Sequence, residues 1–489
     1  MSEIVYIEDD LVSVTHLSLL NGVWVPGLKR SVLAWGDPVE VLEYIKTDDR
    51  IHRTRVRVHG RGGTPWLAEA RGKLKTRSKS VLKFSMVDVQ QGDGMVLETP
   101  EGKIVLIDGG DNKLFARYLA ARYRGTSRSN PLEVEAMVVT HGDADHYAGL
   151  SEIVKSETHR TVRKRLFLHP KRVIHNGLVK GPSSLPPEKI FGRTVVKGTQ
   201  SYVTDLEDDL LSLPEARLNR PFKGWVNTLR HWLARGPIEF KSIGFGDDEA
   251  FGFLNDEGIS VKMMGPFRKR ITVDGKYVKG LPLLRTPKKT VELHLENEMD
   301  ETRRFSASHT INGHSLAMQL QVGNVRFFLT GDLNQESMKI LRDKTTNKEL
   351  ESEIIKAPHH GSADFDFRAL KAMAPVVSLI SSGDESARKE HIHPRATLVG
   401  ALGNVSRGKT PIILCTELAA FFEMRGMSRS DDGKRYFGFE RTSFGIIQIR
   451  TDGERVLVFT HSGKENMKEA YRFSVDASHK ITFENVKKG

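Results

Sequence analysis

Four potential metal ligands lie close together in the segment THGDADHYAGL, residues 140–150. They are His141, Asp143, Asp145 and His146. The segment directly follows the apolar run AMVV, which is typical of a buried strand. A tight turn here can direct two ligands toward one ion and two toward a neighbouring ion, the arrangement with which two-metal hydrolases activate water. An Asp-rich surface turn is the alternative, but so dense a polar cluster beside a core is costly unless a metal or an ion-pair network compensates.

The composition restricts the chemistry further. The single cysteine, Cys415, excludes thiolate zinc sites, which need two to four cysteines, so any metal must be bound by His and carboxylates. The chain has no G-x-S-x-G elbow, no P-loop and no Rossmann glycine fingerprint. Its formal charge of +12 favours a polyanionic partner such as nucleic acid, although scattered surface lysines give the same count.

No apolar run approaches the roughly 18 residues that a membrane helix needs. The N-terminal stretch MSEIVYIEDD is acidic and lacks the charged and apolar regions of a secretory signal. We therefore expect a cytoplasmic protein that does not associate with membranes.

The elements that must position the ligands begin at about residue 81. From there apolar strands such as KIVLIDGG, VRFFLTGD and EIIKAPHHG alternate with loops and amphipathic stretches, which predicts an α/β sandwich. Many strands end in a loop that opens with Gly, Asp or His, where chemistry commonly lies. Two insertions interrupt the pattern. Residues 177–255 contain the helix-like stretches LEDDLLSLPEARL and GWVNTLRHWLARG, and residues 267–310 are polar and read as a lid or flexible loop.

Residues 1–78 differ from the rest of the chain. Short β-type runs separated by turn residues predict a small barrel. The phrases WGDPVEVLEY and RVRVHGRGGTPWLAEARGKL resemble bacterial SH3-like domains, which implies a possible protein partner for this region. The alternative is an irregular β-extension of the main domain. The basic tract ARGKLKTRSKS, residues 70–80, reads as a linker.

The cluster at residues 141–146 resembles the HxHxDH motif of the metallo-β-lactamase superfamily. Further stretches resemble its ComEC-like branch in the right order: VDVQQGDGMVLETPEGKIVLIDGGDN, VRFFLTGDLN, KAPHHGSADF and HIHPRATL. The resemblance implies a metallo-β-lactamase αββα sandwich over residues 81–460, preceded by the SH3-like domain and followed by a C-terminal β extension at 461–489.

The resemblance also implies a dinuclear centre. One ion would be bound by His141, Asp143 and a histidine of the HHGS loop, for which we favour His360 over His359. The other would be bound by Asp145 and His146, completed by His393, and Asp332 would bridge both. The catalytic residues would then be Asp145, His146, Asp332 and His359, with His359 facing the substrate.

Four further residues lie in matching stretches. Asp93 and Asp108 would lie under the site and hold ligand loops or histidine N–H groups, with capping of their Gly-Asp and Asp-Gly turns as the alternative. Asn312 and Ser315 are similar to the asparagine and serine that open the family's strand before Asp332, where they would cap it.

Two departures from the family pattern matter. Asp143 stands where the motif has its second histidine, and this hard oxygen donor shifts the expected ions from zinc alone toward Mn²⁺ or Zn²⁺. Gln90 stands where the family phrase has glycine, which puts the turn before Asp93 in doubt.

Three functions remain open at this point. The first is a phosphodiesterase or nuclease that cleaves DNA or RNA with a metal-activated water. Such an enzyme would be free-standing, without the membrane channel domain of ComEC, and would fit an effector of a bacterial defence system. The second is a small-molecule hydrolase for a phosphoester or lactone. The third is a non-enzymatic scaffold that binds a partner.

Overall fold

The computed structural model of the chain describes residues 3–47, 50–60, 63–186, 189–285, 305–383, 393–408, 410–418, 421–429, 435–443, 445–460 and 469–487. The start of the predicted HIHPRATL motif, residues 391 and 392, and residues 286–304 of the second insertion lie outside these ranges. Within them no helix has the length and apolar character needed to cross a bilayer.

Two sheets pack face to face. The larger has ten strands, in spatial order Glu239–Ser242, Arg172–His175, Ala136–Val138, Ile104–Ile107, Met95–Glu98, Leu82–Val87, Ile446–Thr451, Arg455–Thr460, Ala470–Val475 and Ile481–Glu484. The smaller has six, in spatial order Ile259–Gly265, Ala317–Val322, Val325–Leu329, Ile354–Lys356, Val377–Ile380 and Ile412–Cys415. One apolar core, which includes Phe84, Ile107, Phe327 and Leu379, fills the space between them.

Helices cover both outer faces of this pair of sheets. Their buried side chains join two further apolar cores, one outside each sheet. The helices outside the ten-stranded sheet are Leu114–Arg122, Ala144–Ser156 and Arg220–Leu233. Those outside the six-stranded sheet are Gln335–Lys344, Phe367–Met373 and Ala396–Val405, with the shorter Ala307–Gly313 and Asn347–Leu350 nearby. The layers therefore run helix, sheet, sheet, helix.

The strand directions explain where a site can form. Parallel pairing joins Ile104–Ile107 to Ala136–Val138 in one sheet and Val325–Leu329 to Ile354–Lys356 in the other. The carboxyl ends of these strands therefore share one edge, where open α/β sheets bind ligands. Backbone hydrogen bonding from Leu316 N to Thr140 O (2.8 Å) ties the two sheets together at this edge.

The first insertion is only partly helical. The stretch GWVNTLRHWLARG lies in helix Arg220–Leu233, as predicted, and the side chain of Asn219 caps it. The helix predicted for residues 206–218 is wrong, because only the 3-10 turn Glu215–Arg217 forms there. Asp209 bonds through its side chain to Leu211 N (2.9 Å), which competes with helical hydrogen bonding.

The second insertion is more ordered than its polarity suggests. Strands Lys269–Val273 and Lys276–Pro282 form a hairpin, so of the two alternatives the flexible loop is wrong for these residues, and the lid stays a prediction. Asp274 and Gly275 make the turn with positive φ angles of 49° and 75°, the backbone that an Asp-Gly hairpin turn favours. The hairpin pairs with Gln200–Val203 of the first insertion, which in turn pairs with Thr194–Lys197.

The N-terminal region is strand-rich, as predicted, and forms an antiparallel seven-stranded sheet. Its spatial order is Val23–Ala34, Leu11–Leu20, Trp66–Arg71, Arg50–Val58, Pro38–Thr47, Ile4–Ile7 and Thr76–Arg77. The tract predicted as a linker contributes to strands Trp66–Arg71 and Thr76–Arg77. SH3-like topology stays a prediction.

Buried contacts join this sheet to the last strands of the ten-stranded sheet. The Trp35 side chain is fully buried, and the guanidinium of Arg455 stacks 3.7 Å from its ring centroid. Arg472 pairs with the fully buried Asp10 at 2.9 Å. Arg450 pairs with Asp37 at 2.9 Å.

Candidate metal centre

The segment that carries the predicted ligands turns directly into a helix. Asp143 is the residue before helix Ala144–Ser156, so Asp145 and His146 lie in its first turn. His146 is fully buried, whereas the side chain of Asp145 is 23% exposed. The helix therefore aims a buried imidazole and a carboxylate at the strand edge.

Asp108 fixes the orientation of this segment from below. Its carboxylate accepts hydrogen bonds from the backbone and hydroxyl of Thr140, at 2.8 and 2.7 Å. A third contact joins Asp108 Oδ2 to His146 Nδ1 at 2.8 Å, which leaves His146 Nε2 facing the strand edge. A carboxylate behind a histidine in this way sets the ring's tautomer and orientation for metal binding.

The HHG turn supplies the next imidazole through an unusual backbone. His359, His360 and Gly361 have consecutive positive φ angles of 45°, 50° and 93°. Such strain in non-glycine residues is found mostly at functional sites. The turn brings His360 Nε2 to 2.9 Å from Asp332 Oδ2, whereas His359 Nε2 lies 4.0 Å from the same oxygen. A left-handed turn thus brings His360, and not His359, within hydrogen-bonding distance of Asp332.

Four side chains converge at this point: Asp145, His146, Asp332 and His360. Asp332 Oδ2 lies 3.3 Å from His146 Nε2. Asp145 Oδ2 lies 3.9 Å from His146 Nε2 and 3.6 Å from His360 Nε2. Donor atoms bound about 2.0–2.2 Å from one tetrahedral ion lie about 3.3–3.6 Å from one another, so these separations are close to those that a bound ion requires.

The donors also fit a metal by their chemistry. His146 Nε2 is buried and makes no well-aligned hydrogen bond within the described part of the chain. Two imidazoles and two carboxylates are donors that Zn²⁺ and Mn²⁺ both accept. We conclude that these four residues fit a divalent ion, and we call them the Asp145 subsite.

A buried lysine, not predicted from the sequence, contacts two carboxylates at the Asp145 subsite. Lys356 is fully buried, and its Nζ lies 2.6 Å from Asp93 Oδ2, 3.3 Å from Asp332 Oδ1 and 2.7 Å from Gly331 O. Asp93 Oδ1 in turn lies 3.3 Å from His360 Nδ1. Lys356 therefore fixes one oxygen of each carboxylate, and leaves the other to face the histidines. A lysine directly after Ile354 and Ile355, in a buried strand just before the HHG turn, was the available signal.

His141 and Asp143 lie beside the Asp145 subsite but have other partners. His141, His146 and Asp332 offer ligand atoms that lie within 4.8 Å of one another. His141 Nδ1 lies 3.2 Å from the Ser315 hydroxyl, and Asp143 Oδ1 accepts a hydrogen bond from Lys180 Nζ at 2.5 Å. Asp143 belongs to none of the ligand clusters found among the described residues. We call His141 and Asp143, together with Asp332, the Asp143 subsite.

Asn312 and Ser315 contact the site, which goes beyond the capping role predicted for them. Ser315 Oγ accepts a hydrogen bond from the backbone N–H of Asp332 at 2.9 Å. With its amide oriented to satisfy its neighbours, Asn312 donates to Asp143 Oδ2 at 2.9 Å and to His141 Nε2 at 3.3 Å.

His393 is not brought into the ligand clusters of the described residues. Its ring centroid lies 6.0 Å from that of His359. The next residues pack on the HHG turn, where Arg395 N donates to Gly361 O at 2.8 Å. Its predicted ligand role stays a prediction.

Gln90 keeps the turn that a glycine would make. Its φ is +69°, and its N–H donates to Asp88 Oδ1 at 2.9 Å. The following Gly92 has no room for a side chain, since a Cβ there would lie 1.7 Å from Asp145 O. The turn before Asp93 therefore still packs against the ligand helix.

Electrostatics hold protons on the histidines of the Asp145 subsite. Burial disfavours charge on His146, but nearby carboxylates, Asp332 foremost, outweigh it and raise the pKa of His146 well above 6.5. Burial likewise opposes charge on His360, yet Asp332 and Asp93 raise its pKa to about 9. For Asp332, burial favours the neutral form, but His360 and His146 hold its pKa well below 3.8. A metal ion must therefore displace protons when it binds here.

His141 behaves differently. Burial and the charge of His146 lower the pKa of His141 well below 6.5, so its imidazole is neutral. A neutral imidazole is the form that binds a metal.

Comparison with known proteins agrees with the arrangement of sheets and site. A search of curated proteins finds no match to the chain. The family model of the metallo-beta-lactamase superfamily matches residues 87–380, which contain all the ligands of the Asp145 subsite. The chain belongs to the metallo-β-lactamase superfamily, whose members are mostly metal-dependent hydrolases.

Proposed function

We propose that the protein is a metal-dependent phosphodiesterase of the ComEC-like branch that cleaves DNA or RNA. The observation that carries the proposal is the donor set at the strand edge. Two of the four donors in the Asp145 subsite are carboxylates, and the ammonium of Lys180 pairs with the nearby Asp143. Carboxylate donors suit hard ions such as Mn²⁺, and nearby cations stabilise the charge that develops on a phosphoryl group.

The residues of such a centre would have three roles: binding the ion, orienting its ligands and contacting the substrate. Asp145, His146, His360 and Asp332 would hold a divalent ion, which lowers the pKa of a bound water and neutralises charge on the substrate. Asp108 orients His146, and Lys356 orients Asp332. The half-buried His359 lies beside this centre and is available to contact substrate.

The charge of the whole chain supports a polyanionic substrate. A formal charge of +12 attracts nucleic acid over long range, an effect that salt screens. A small-molecule hydrolase with the same centre would show little dependence of substrate binding on salt. The salt dependence of binding therefore separates the two functions.

The test is cleavage of labelled single- and double-stranded DNA and RNA with Mn²⁺, Zn²⁺ or Mg²⁺. We expect cleavage by the wild type, and none by Asp145→Ala or His146→Ala. Glu152→Ala is the matched control, because this carboxylate lies on the same helix but pairs only with Lys155 among the described salt bridges. Equal cleavage by the Asp145→Ala variant, or no cleavage with any of these ions, would refute the proposal.

A further inference from the structure

The two subsites differ in which protein groups contact their ligand atoms. In the Asp145 subsite the donor atoms face one another, and His146 Nε2 has no well-aligned hydrogen-bond partner among the described residues. In the Asp143 subsite, protein groups outside the subsite bond to both His141 and Asp143. An ion entering the Asp143 subsite must therefore displace the Lys180 ammonium from Asp143. Among the described salt bridges, the carboxylate oxygens that face the Asp145 subsite pair with histidines and not with a lysine.

Both oxygens of Asp143 accept hydrogen bonds from side chains. Lys180 Nζ donates to Oδ1 at 2.5 Å, and Asn312 donates to Oδ2 at 2.9 Å. The Lys180 contact is a salt bridge between side chains that are only 23% and 20% exposed. A hydrogen bond between charged groups is about twice as strong as one between neutral groups.

The backbone around Lys180 holds its ammonium in this position. Its carbonyl accepts a hydrogen bond from Asn219 Nδ2 at 2.9 Å, and Asn219 also caps helix Arg220–Leu233. The next residue, Gly181, donates its N–H to Ile190 O at 2.7 Å. Leu178 O lies close to Gly142, since a Cβ on that glycine would be 3.1 Å away. The first insertion therefore delivers the lysine to the metal centre.

We propose that Lys180 makes the centre unequal: one divalent ion binds tightly in the Asp145 subsite, and a second binds weakly because it must displace the Lys180 ammonium from Asp143. This inference rests on the proposed metal-dependent function and assigns Lys180 as a positioning residue that sets metal stoichiometry. The ammonium neutralises the carboxylate that would attract the second ion, and it also repels that ion directly.

The experiment is a Mn²⁺ titration of the metal-free full-length protein by equilibrium dialysis, with bound metal measured by elemental analysis. We expect two binding steps in the wild type, one tight and one weak. Lys180→Met should tighten the weak step by about tenfold or more, the effect of removing one charge-assisted hydrogen bond. The tight step should not change.

Further variants assign each step to its subsite. Asp143→Asn should abolish the weak step alone, and Asp145→Asn should abolish the tight one. Lys180→Gln keeps a hydrogen-bond donor without the charge and should also tighten the weak step, so the inference does not depend on one variant folding. Lys223→Met is the matched control, since Lys223 is an exposed lysine on the helix that Asn219 caps.

The outcomes separate this inference from the proposed function. Two ions of equal affinity in the wild type would overturn it, as would a weak step unchanged in both Lys180 variants. No bound ion in any condition would overturn both the inference and the proposed function. Two unequal steps without any nucleic-acid cleavage would support the inference and overturn the proposed function alone.

Discussion

Replacement of Lys356 by Met should sharply destabilise the metal-free protein. The ammonium is fully buried and has three acceptors, of which two are the carboxylates of Asp93 and Asp332. Removing one partner of a buried ion pair leaves uncompensated charge and costs about 3–5 kcal/mol. We expect a loss of this size in the free energy of unfolding, measured by urea denaturation and followed by fluorescence of the buried Trp225 and Trp232. Lys348→Met, at an exposed position, should change it by less than about 0.5 kcal/mol.

A second substitution tests the reason for the loss. If the loss comes from carboxylates that no longer have the lysine as a partner, adding Asp93→Asn to Lys356→Met removes one of these two carboxylates. The double variant should then be more stable than Lys356→Met alone, with a coupling energy of about 1–3 kcal/mol. A cost below about 1 kcal/mol for Lys356→Met, or strictly additive effects, would refute this reasoning.

Asp108→Asn should weaken Mn²⁺ binding by about 10- to 100-fold, because the carboxylate orients a ligand histidine; unchanged affinity in calorimetry would contradict this. Asp37 should stabilise the junction between the N-terminal seven-stranded sheet and the ten-stranded sheet only above its pKa. Burial alone would raise that pKa, but Arg450 and other cations lower it from 3.8 to about 2. The stabilisation of about 2 kcal/mol is therefore present above pH 4 and lost as pH falls through 2. Denaturation of Asp37→Asn at pH 7 and pH 3 should show a smaller difference from wild type at pH 3. Gly149→Ala should destabilise by about 1–3 kcal/mol, since its Cβ would lie 2.1 Å from a backbone carbonyl. Gly224→Ala, in an exposed helical turn with nothing within 4 Å, should instead stabilise by about 0.5–1 kcal/mol, and thermal unfolding compares the two.

Strand-end ligands were predictable because parallel strands deliver their carboxyl ends to one edge. The runs before Asp108, His141 and Asp332 are short, largely apolar and buried, which marks each as a core strand that ends in a loop at a sheet edge. The family resemblance supplied the pairing of distant segments, since periodicity alone does not show which strands are neighbours.

Partners of individual side chains were not predictable. Asp143 reads as a ligand in the sequence, but Lys180 lies 37 positions away and reaches it only through the fold of the insertion. Lys356 reads as the end of a strand, and its burial follows from two carboxylates on other loops. Such pairings depend on tertiary packing and leave little trace in local sequence.

Errors in the insertions have a local cause. Residues 206–218 show helical spacing, but Asp209 and Pro214 favour turns over helix. Polarity suggested a lid or flexible loop over residues 267–310, yet Asp274 and Gly275 are a hairpin signal that outweighs polarity at the start of this segment.

The most direct test of the metal centre is anomalous diffraction from crystals grown with Mn²⁺. We expect the strongest peak about 2.0–2.2 Å from the donor atoms of Asp145, His146, His360 and Asp332. Its absence in crystals of Asp145→Ala would complete the assignment. A strongest peak elsewhere, or no peak beside these four residues at saturating Mn²⁺, would contradict it.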